Sequence, residues 1–344
     1  MPSVDGDRRV TLLEVAQRAE VSLKTAHRAL TGEGPVKDST RERVRQAARE
    51  LGYRFNASAS MLKRGVSMRV IALVVSDLQN PFYSRIASGM EEVLREHGIG
   101  LVLANSDEDP VLERQLIDGF TAQRVDAIVV VSTAIEHGGL AMVQTTTPLV
   151  FVDRAPVGLD ADAVLLDDAA GIATAVEHLY AHGHRRIGFV GDYPRLQTAR
   201  DRVEAFIATA ERLGAETPRD YIRTGGHDAA TARQLTRTLL EAATPPTALV
   251  AANNRVAVGT LEAAFTTSAR IALVGFDDFE LAEALGVTVV RHDAAQLGRE
   301  AARLALEEHV PTREPKRILV PTTLVPRGSG EVRPGELRRI RVEW

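Results

Sequence analysis

The chain has 344 residues, is 44% hydrophobic and 26% charged, carries a net charge of -4 and contains no cysteine. That length suits two or three domains, and the composition is that of a folded chain rather than a disordered one. The missing thiols exclude a disulfide framework, a thiol nucleophile and a thiolate metal site, and the longest apolar runs are of strand length, far short of the ~20 residues that span a membrane. The start of the sequence, Met1 to Arg9, is polar and has no signal-peptide core, so a cytoplasmic protein without membrane association is expected. Residues 1–64 hold 13 Lys and Arg against 8 Asp and Glu, a local charge of +5. The other 280 residues carry -9. A basic head on an acidic body is the asymmetry expected when one end meets phosphates.

In chain order, Leu12, Val15, Ala16 and Ala19 fall at helical spacing behind Thr11, a good N-cap. Ser22 can cap a second helix, Leu23 to Leu30, with Ala26, Ala29 and Leu30 on its inner side. After the break at Thr31-Gly32-Glu33-Gly34-Pro35, a third helix starts at Asp38 or Ser39, carries Val44, Ala47, Ala48 and Leu51 on one face, and ends at Gly52. Two short helices joined by a tight turn and braced by a third make a helix-turn-helix, in which the start of the second helix faces base edges.

The strings TLLEVAQRAEVSLKTAHRAL and STRERVRQAARELGYRFNASASMLKRG resemble the DNA-binding headpiece of the LacI/GalR family of transcriptional regulators. The resemblance implies that Leu23, Lys24 and Arg28 read bases. Arg28 suits bidentate recognition of guanine, and Lys24 can reach a guanine acceptor. It implies phosphate contacts from Thr11, Ser22, Thr25, Tyr53 and Asn56. Two positions depart from the family pattern: Ala26-His27 replaces the usual Val-Ser before the arginine, and Phe55 replaces a proline. His27 is longer than serine and can reach a base or a phosphate. Residues 56–63 are a weak helix by composition. By resemblance they are a hinge helix, ordered when two copies pair over the minor groove, with Leu62 as the wedge between base steps and Ala59 beside it.

From Arg69 onward, strand-like runs alternate with helical stretches: Val70 to Val75, then Pro81 to His97; Leu101 to Ala104, then Val111 to Gln123; then Ala127 to Ser132 and Leu149 to Val152, around a short segment at 138–145. This is βαβ repetition, and it predicts a parallel sheet covered by helices. The plan recurs: RVIALVVSD is echoed by RRIGFVGD and DAIVVVS by TALVAAN, at offsets of 117 and 121 residues. Two similar lobes imply a type I periplasmic-binding-protein fold with ligand in the cleft between them, at the C-terminal ends of the strands. Polar residues predicted there are Asn80 and Phe82, Asp153 and Arg154, Arg200, Asn253 and Asp277, a set that suits the hydroxyls of a sugar or polyol. The resemblance agrees, since NPFYSRIASGME, VDR, TARDRVEAF and VGFDD occur in the order of the family's sensor motifs. Departures are Asn253-Asn254 where the family has Asn-Asp, and His227 at a position that is often aromatic, so His227 joins the candidates.

The predicted organisation is an all-α headpiece at 1–55, a hinge and linker at 56–67, an α/β effector-binding domain at 68–335, and a tail at 336–344. The first lobe takes about 68–167 and 293–321, and the second about 168–292 and 322–335. His178, His182 and His184 have metal-like spacing, but no carboxylate stands in the adjacent motif position, and a structural role is expected. No nucleophile elbow, P-loop or dinucleotide fingerprint is present, and the pairs Asp167-Asp168 and Asp277-Asp278 have no nucleophile to serve. No catalytic residue, metal or cofactor is therefore expected. The function implied is a regulator, a repressor before an activator or dual regulator, that binds a near-palindromic operator as a homodimer and responds to a sugar or polyol. The competing readings are a sugar-binding protein and a sugar-processing enzyme. The tail ELRRIRVEW holds no heptads, so no tetramerising coiled coil is expected.

Overall fold

The computed structural model describes residues 10–32, 34–53, 69–267, 271–308 and 314–335. Asn56, Ala59 and Leu62, the hinge residues singled out by the sequence, lie outside them. The chain divides into two compact units, residues 1–68 and 69–344.

The first unit contains three helices, α1 (Leu12–Arg18), α2 (Leu23–Thr31) and α3 (Asp38–Glu50). Thr11 and Glu14 close a capping box at the start of α1, each side chain bonding the other's backbone N–H. At the start of α2 the Ser22 hydroxyl accepts the Thr25 N–H at 3.1 Å, and Gly32 ends the helix at φ 77°. Val15, Ala16, Ala19, Ala26, Ala29, Val44, Ala47 and Ala48 form the core, with Leu12, Leu30, Leu51 and Tyr53 packed on it. Alanines at the crossing let the helices approach closely, which is how so short a segment builds a core.

The second unit holds two six-stranded sheets. The first sheet contains β1 (Val70–Val75), β2 (Gly100–Asn105), β3 (Ala127–Val130), β4 (Leu149–Val152), β5 (Asp162–Leu166) and β11 (Arg317–Val320). The second contains β6 (Ile187–Val190), β7 (Ile222–Arg223), β8 (Ala248–Ala251), β9 (Ala272–Phe276), β10 (Thr288–Arg291) and β12 (Thr323–Val325). Their strand orders are the same, 11-5-4-3-1-2 and 12-10-9-8-6-7. They differ at one edge, where β11 pairs parallel to β5 but β12 pairs antiparallel to β10. β3, β4, β6, β8 and β9 are buried along their whole length, which explains why they hold no polar residue. The chain passes between the sheets after β5, after β10 and between β11 and β12. The helices that position the cleft are Pro81–Glu96, Gln197–Leu213, Asn254–Thr266 and Ala294–Leu306.

Candidate functional site

On the first unit, Ser22, Leu23 and Lys24 are exposed and Thr25, His27 and Arg28 partly so, while Ala26 and Ala29 face the core. Leu23 is 49% exposed at the first position of the helix. An apolar side chain there adds nothing to the core, and it suits a contact with a thymine methyl. The predicted base-reading residues thus share one solvent-facing surface at the start of α2.

In the second unit, the ends of both sheets and the helices that follow them enclose a small cavity, about 40 Å3, between the lobes. Asn80, Phe82, Asp153, Arg154, His227, Asn253 and Asp277 all line it, as the sequence predicts. Arg200 does not. Its guanidinium donates to the Arg195 carbonyl at 2.8 Å, and it lines a neighbouring cavity with Ser132, His137 and Gln197. The arginine facing the cleft is Arg202. Two residues apart on a helix, Arg200 and Arg202 lie about 200° apart, so only one can face inward. Ala199, Arg202, Phe206 and Ala210 form the buried stripe of that helix. This stripe was the available signal for choosing Arg202. A larger cavity, about 620 Å3, borders residues 148–150 and 158–162 at the N-terminal ends of β4 and β5, the end of the sheet that ligands do not use in this architecture.

Of the arginines lining the cleft, Arg154 and Arg202 are buried and paired. Arg154 bonds Glu108 at 2.8 and 3.2 Å and the Ser132 carbonyl at 2.8 Å. Arg202 bonds Asp168 at 2.8 Å and the Ala252 carbonyl at 2.6 Å, with its guanidinium 4.0 Å from the Phe276 ring centre. Burial raises the Asp168 carboxyl to about 6 despite the pull of Arg202. Burial likewise raises Asp153. Asp277 is also buried, but the His292 bond at 2.7 Å, the Arg202 charge and the Asn254 N–H outweigh burial and hold it below the usual range. Asp153 and Asp277 both sit at positive φ, 71° and 68°, a conformation Asp tolerates better than most residues.

Several contacts among the described residues tie the lobes together. Asn254 Nδ2 donates to Asn80 Oδ1 at 2.9 Å, the same oxygen that caps the helix at Phe82. Arg255 pairs with Asp77 at 2.9 Å, Arg195 donates to the Glu108 carbonyl at 3.0 Å, and the Ala155 N–H donates to Gln197 at 2.7 Å. Asn254 therefore does what the aspartate usual in the family cannot, because a carboxylate has no N–H to give. Asn253 caps its helix through Val256 and donates to Asp192 at 2.9 Å. His227 bonds Asp192 at 3.0 Å and lies stacked on Tyr193, ring centres 4.6 Å apart. Sequence reasoning missed Arg202, although it stands in the TARDRVEAF motif, and also Glu108, Asp192 and His292, which stand at strand or helix ends with no local motif of their own.

The Asp192 bond raises the His227 pKa above its ordinary 6.5, and burial opposes it. The pair's contribution to stability is then fully present below pH ~6.5 and lost as pH rises through the folded-state value. An NMR titration of the His227 ring should give a midpoint above 6.5, falling to 6.5 or below in Asp192→Asn.

Two other histidine clusters are structural. His137 Nδ1 accepts the Val157 N–H at 2.9 Å, leaving Nε2–H to donate to Ser132 at 2.6 Å, and Ser132 donates to Glu113 at 2.8 Å. In that tautomer the imidazole has no free lone pair with which to activate Ser132. His178 bonds Glu331, and His184 bridges Thr247 and the Val332 carbonyl, so both brace the segment after β12.

Residues 68–327 match the profile of periplasmic binding proteins and the sugar-binding domain of the LacI family, and residues 11–56 match that of bacterial regulatory proteins of the lacI family. The chain belongs to the LacI family. This LacI-family protein is 33% identical over 338 residues to the HTH-type transcriptional regulator PtxS of Pseudomonas plecoglossicida, covering 94% of this chain and 97% of the relative. Among solved structures it resembles a complex of the transcriptional regulator CelR with cellobiose, at TM-score 0.68 and 28% identity over 93% of this chain and 100% of that one. It shares the fold of a Lac repressor dimer bound to operator and the anti-inducer ONPF, at TM-score 0.74 and 24% identity over 94% of this chain and 99% of that one. As a LacI-family member it is a DNA-binding transcriptional regulator and not an enzyme. Among the described residues no helix is long and apolar enough to cross a membrane.

Proposed function

We propose that this LacI-family regulator is a cytoplasmic repressor that binds a near-palindromic operator as a homodimer, and that a small sugar or polyol held between its lobes sets operator affinity. The observation that carries the reading is the cleft itself: acceptors and donors from both sheets converge on one cavity, and hydrogen bonds and an ion pair cross it. A ligand that replaces those contacts changes the lobe angle, and a lobe angle can set the spacing of two hinges. The cellobiose in the CelR complex and the operator in the Lac repressor complex support the two ligand classes.

Within this reading the domains divide at about 55 and 67. Arg28, Lys24, Leu23 and His27 read bases, and Thr11, Ser22, Thr25, Tyr53 and Asn56 fix register on the phosphates. Leu62, with Ala59 beside it, supplies the minor-groove wedge. One headpiece buries too little DNA for high specificity, which is the argument for a two-fold dimer.

The test is a titration of operator and random duplex at fixed salt. Arg28→Ala should weaken operator binding by about 1–3 kcal/mol and leave random-duplex binding nearly unchanged. Leu62→Ala should do the same and also shrink the effector response, with the largest loss on operators whose central step kinks readily. Two chains per operator are expected. Equal fractional loss on both duplexes, or one chain per operator, would refute the assignment.

A further inference from the structure

Arg200 stands in the TARDRVEAF motif but leaves the cleft to Arg202, and the neighbouring cavity that it lines has a charge of its own. Among the described residues that cavity is lined by Arg154, Arg195 and Arg200 and by no carboxylate. Arg154 pairs with Glu108 at 2.8 Å and lies 3.7 Å from Asp153, and Arg195 reaches the same Glu108 at 3.8 Å. Arg200 makes no ion pair among the described residues, and one of its guanidinium nitrogens donates to the Arg195 carbonyl. The positive charge on the second-lobe side is therefore left largely unmatched.

Two residues of the first lobe that line this cavity hold buried polar atoms without a hydrogen-bond partner: the Thr133 hydroxyl and Arg154 Nε. Thr133 is 4% exposed and Arg154 5%. Each can donate, and a buried donor without an acceptor is rare enough in folded proteins to call for one supplied from outside the chain. Thr133 and Arg154 follow β3 and β4, whereas Arg195 and Arg200 follow β6, so an acceptor placed among them touches both lobes. The space is about 10 Å3, room for one oxygen-sized group. One oxygen of a carboxylate or phosphate fits it. Arg195, with 38% of its side chain exposed, and Arg200, partly exposed, can turn to meet the rest of the group. The planar guanidinium fork matches that geometry.

We propose that this cavity is an oxyanion site distinct from the cleft of Asp153 and Asp277, in which a carboxylate or phosphate group bonds Arg195, Arg200 and the Thr133 hydroxyl and bridges the two lobes. Because it touches both lobes, the anion favours the lobe arrangement in which those three residues meet. Arg154 lines both cavities and stands between them. The oxyanion therefore has two possible sources, a free anion and the acidic group of a larger ligand whose body lies in the cleft.

The experiment has two arms, both on the full chain. The first uses inorganic phosphate. Phosphate also stabilises proteins by exclusion from their surface, so wild type and variants are compared at matched ionic strength against chloride. The melting temperature of wild type should rise with phosphate along a saturable curve, and calorimetry should register the same binding. Arg200→Gln keeps a long polar side chain without the charge, and Thr133→Val keeps the shape without the hydroxyl. Each should weaken phosphate binding by about tenfold or more. A phosphate shift that does not saturate, or a phosphate affinity unchanged in either variant, overturns the proposal. The second arm identifies the source with glucose, glucuronate and glucose 6-phosphate, each titrated with and without phosphate. If the oxyanion belongs to the ligand, an acidic sugar binds wild type about tenfold or more tightly than glucose, competes with phosphate, and loses its advantage in Arg200→Gln. If the anion is free, phosphate and sugar bind together without competing. Either result upholds the site and names its occupant. Saturable phosphate binding with no binding of any sugar would uphold the oxyanion site and count against the sugar reading instead.

Discussion

Arg202→Ala is expected to lower the melting temperature of the protein by roughly 10 °C and to abolish its response to effector. Arg202 joins three elements at the wall of the second lobe. It bonds Asp168 at the start of one helix, donates to the Ala252 carbonyl after β8, and covers the Phe276 ring at the end of β9. Its removal leaves Asp168, which is 8% exposed, as a buried charge without a cation. Breaking a buried pair from one side costs about 3–5 kcal/mol, which corresponds to that melting shift in a domain of this size. Arg200→Ala is the control: its guanidinium makes one bond to a backbone carbonyl, and its loss should cost about 1 kcal/mol or less. Adding Asp168→Asn to Arg202→Ala removes the stranded charge and should recover part of the stability. No recovery would mean that the cost is the lost packing on Phe276 rather than the uncompensated carboxylate. Calorimetric melting of the four proteins decides between them.

Gly89→Ala is expected to destabilise the protein by about 3 kcal/mol, although helix propensity alone favours alanine by about 1 kcal/mol. Gly89 lies in the helix Pro81–Glu96, where a Cβ would stand 2.0 Å from the Ala295 carbonyl oxygen. Gly298, on the facing helix Ala294–Leu306, meets the Ile86 carbonyl oxygen at the same distance. The obstacles are backbone atoms, so no side chain can turn aside and the helices must part. The consequence reaches the cleft. The first helix begins at Asn80 and Phe82, and the second follows His292, which holds Asp277. Separating them shifts Asn80 from Asn254 and should weaken effector binding along with stability. Chemical unfolding of Gly89→Ala and Gly298→Ala measures the first effect, and calorimetry with effector the second. A stable Gly89→Ala protein would show that the two helices can slide apart without loss.

The headpiece helices and the central strands were legible in the chain, in their order. The Thr11 and Ser22 caps fix the starts of α1 and α2, and the apolar spacing of Val44, Ala47 and Ala48 marks α3, because these signals act within a turn or two of chain. The apolar runs mark β1 to β4 of the first sheet and β6, β8 and β9 of the second, and the repeat at an offset of 117 residues reveals two lobes of one plan, whereas the short edge strands β7, β11 and β12 carry no such run. Strand ends therefore place Asn80, Asp153, Arg154, Asn253 and Asp277 at one cleft without further information. The tertiary structure decided what each side chain does there. Arg202 rather than Arg200 faces inward because the helix buries the stripe through Ala199 and Phe206. Glu108, Asp192 and His292 enter through pairings that cross 46, 35 and 15 residues of sequence, which no local pattern encodes. Asn254 shows in the chain only as a departure from the family's Asn-Asp, and it becomes a bridge between lobes only when Asn80, 174 residues away, is brought to 2.9 Å. Helix and strand formation follow from nearest neighbours, whereas charge pairing in a cleft depends on which groups the packed sheets bring within ~4 Å, and that distance exists only after folding.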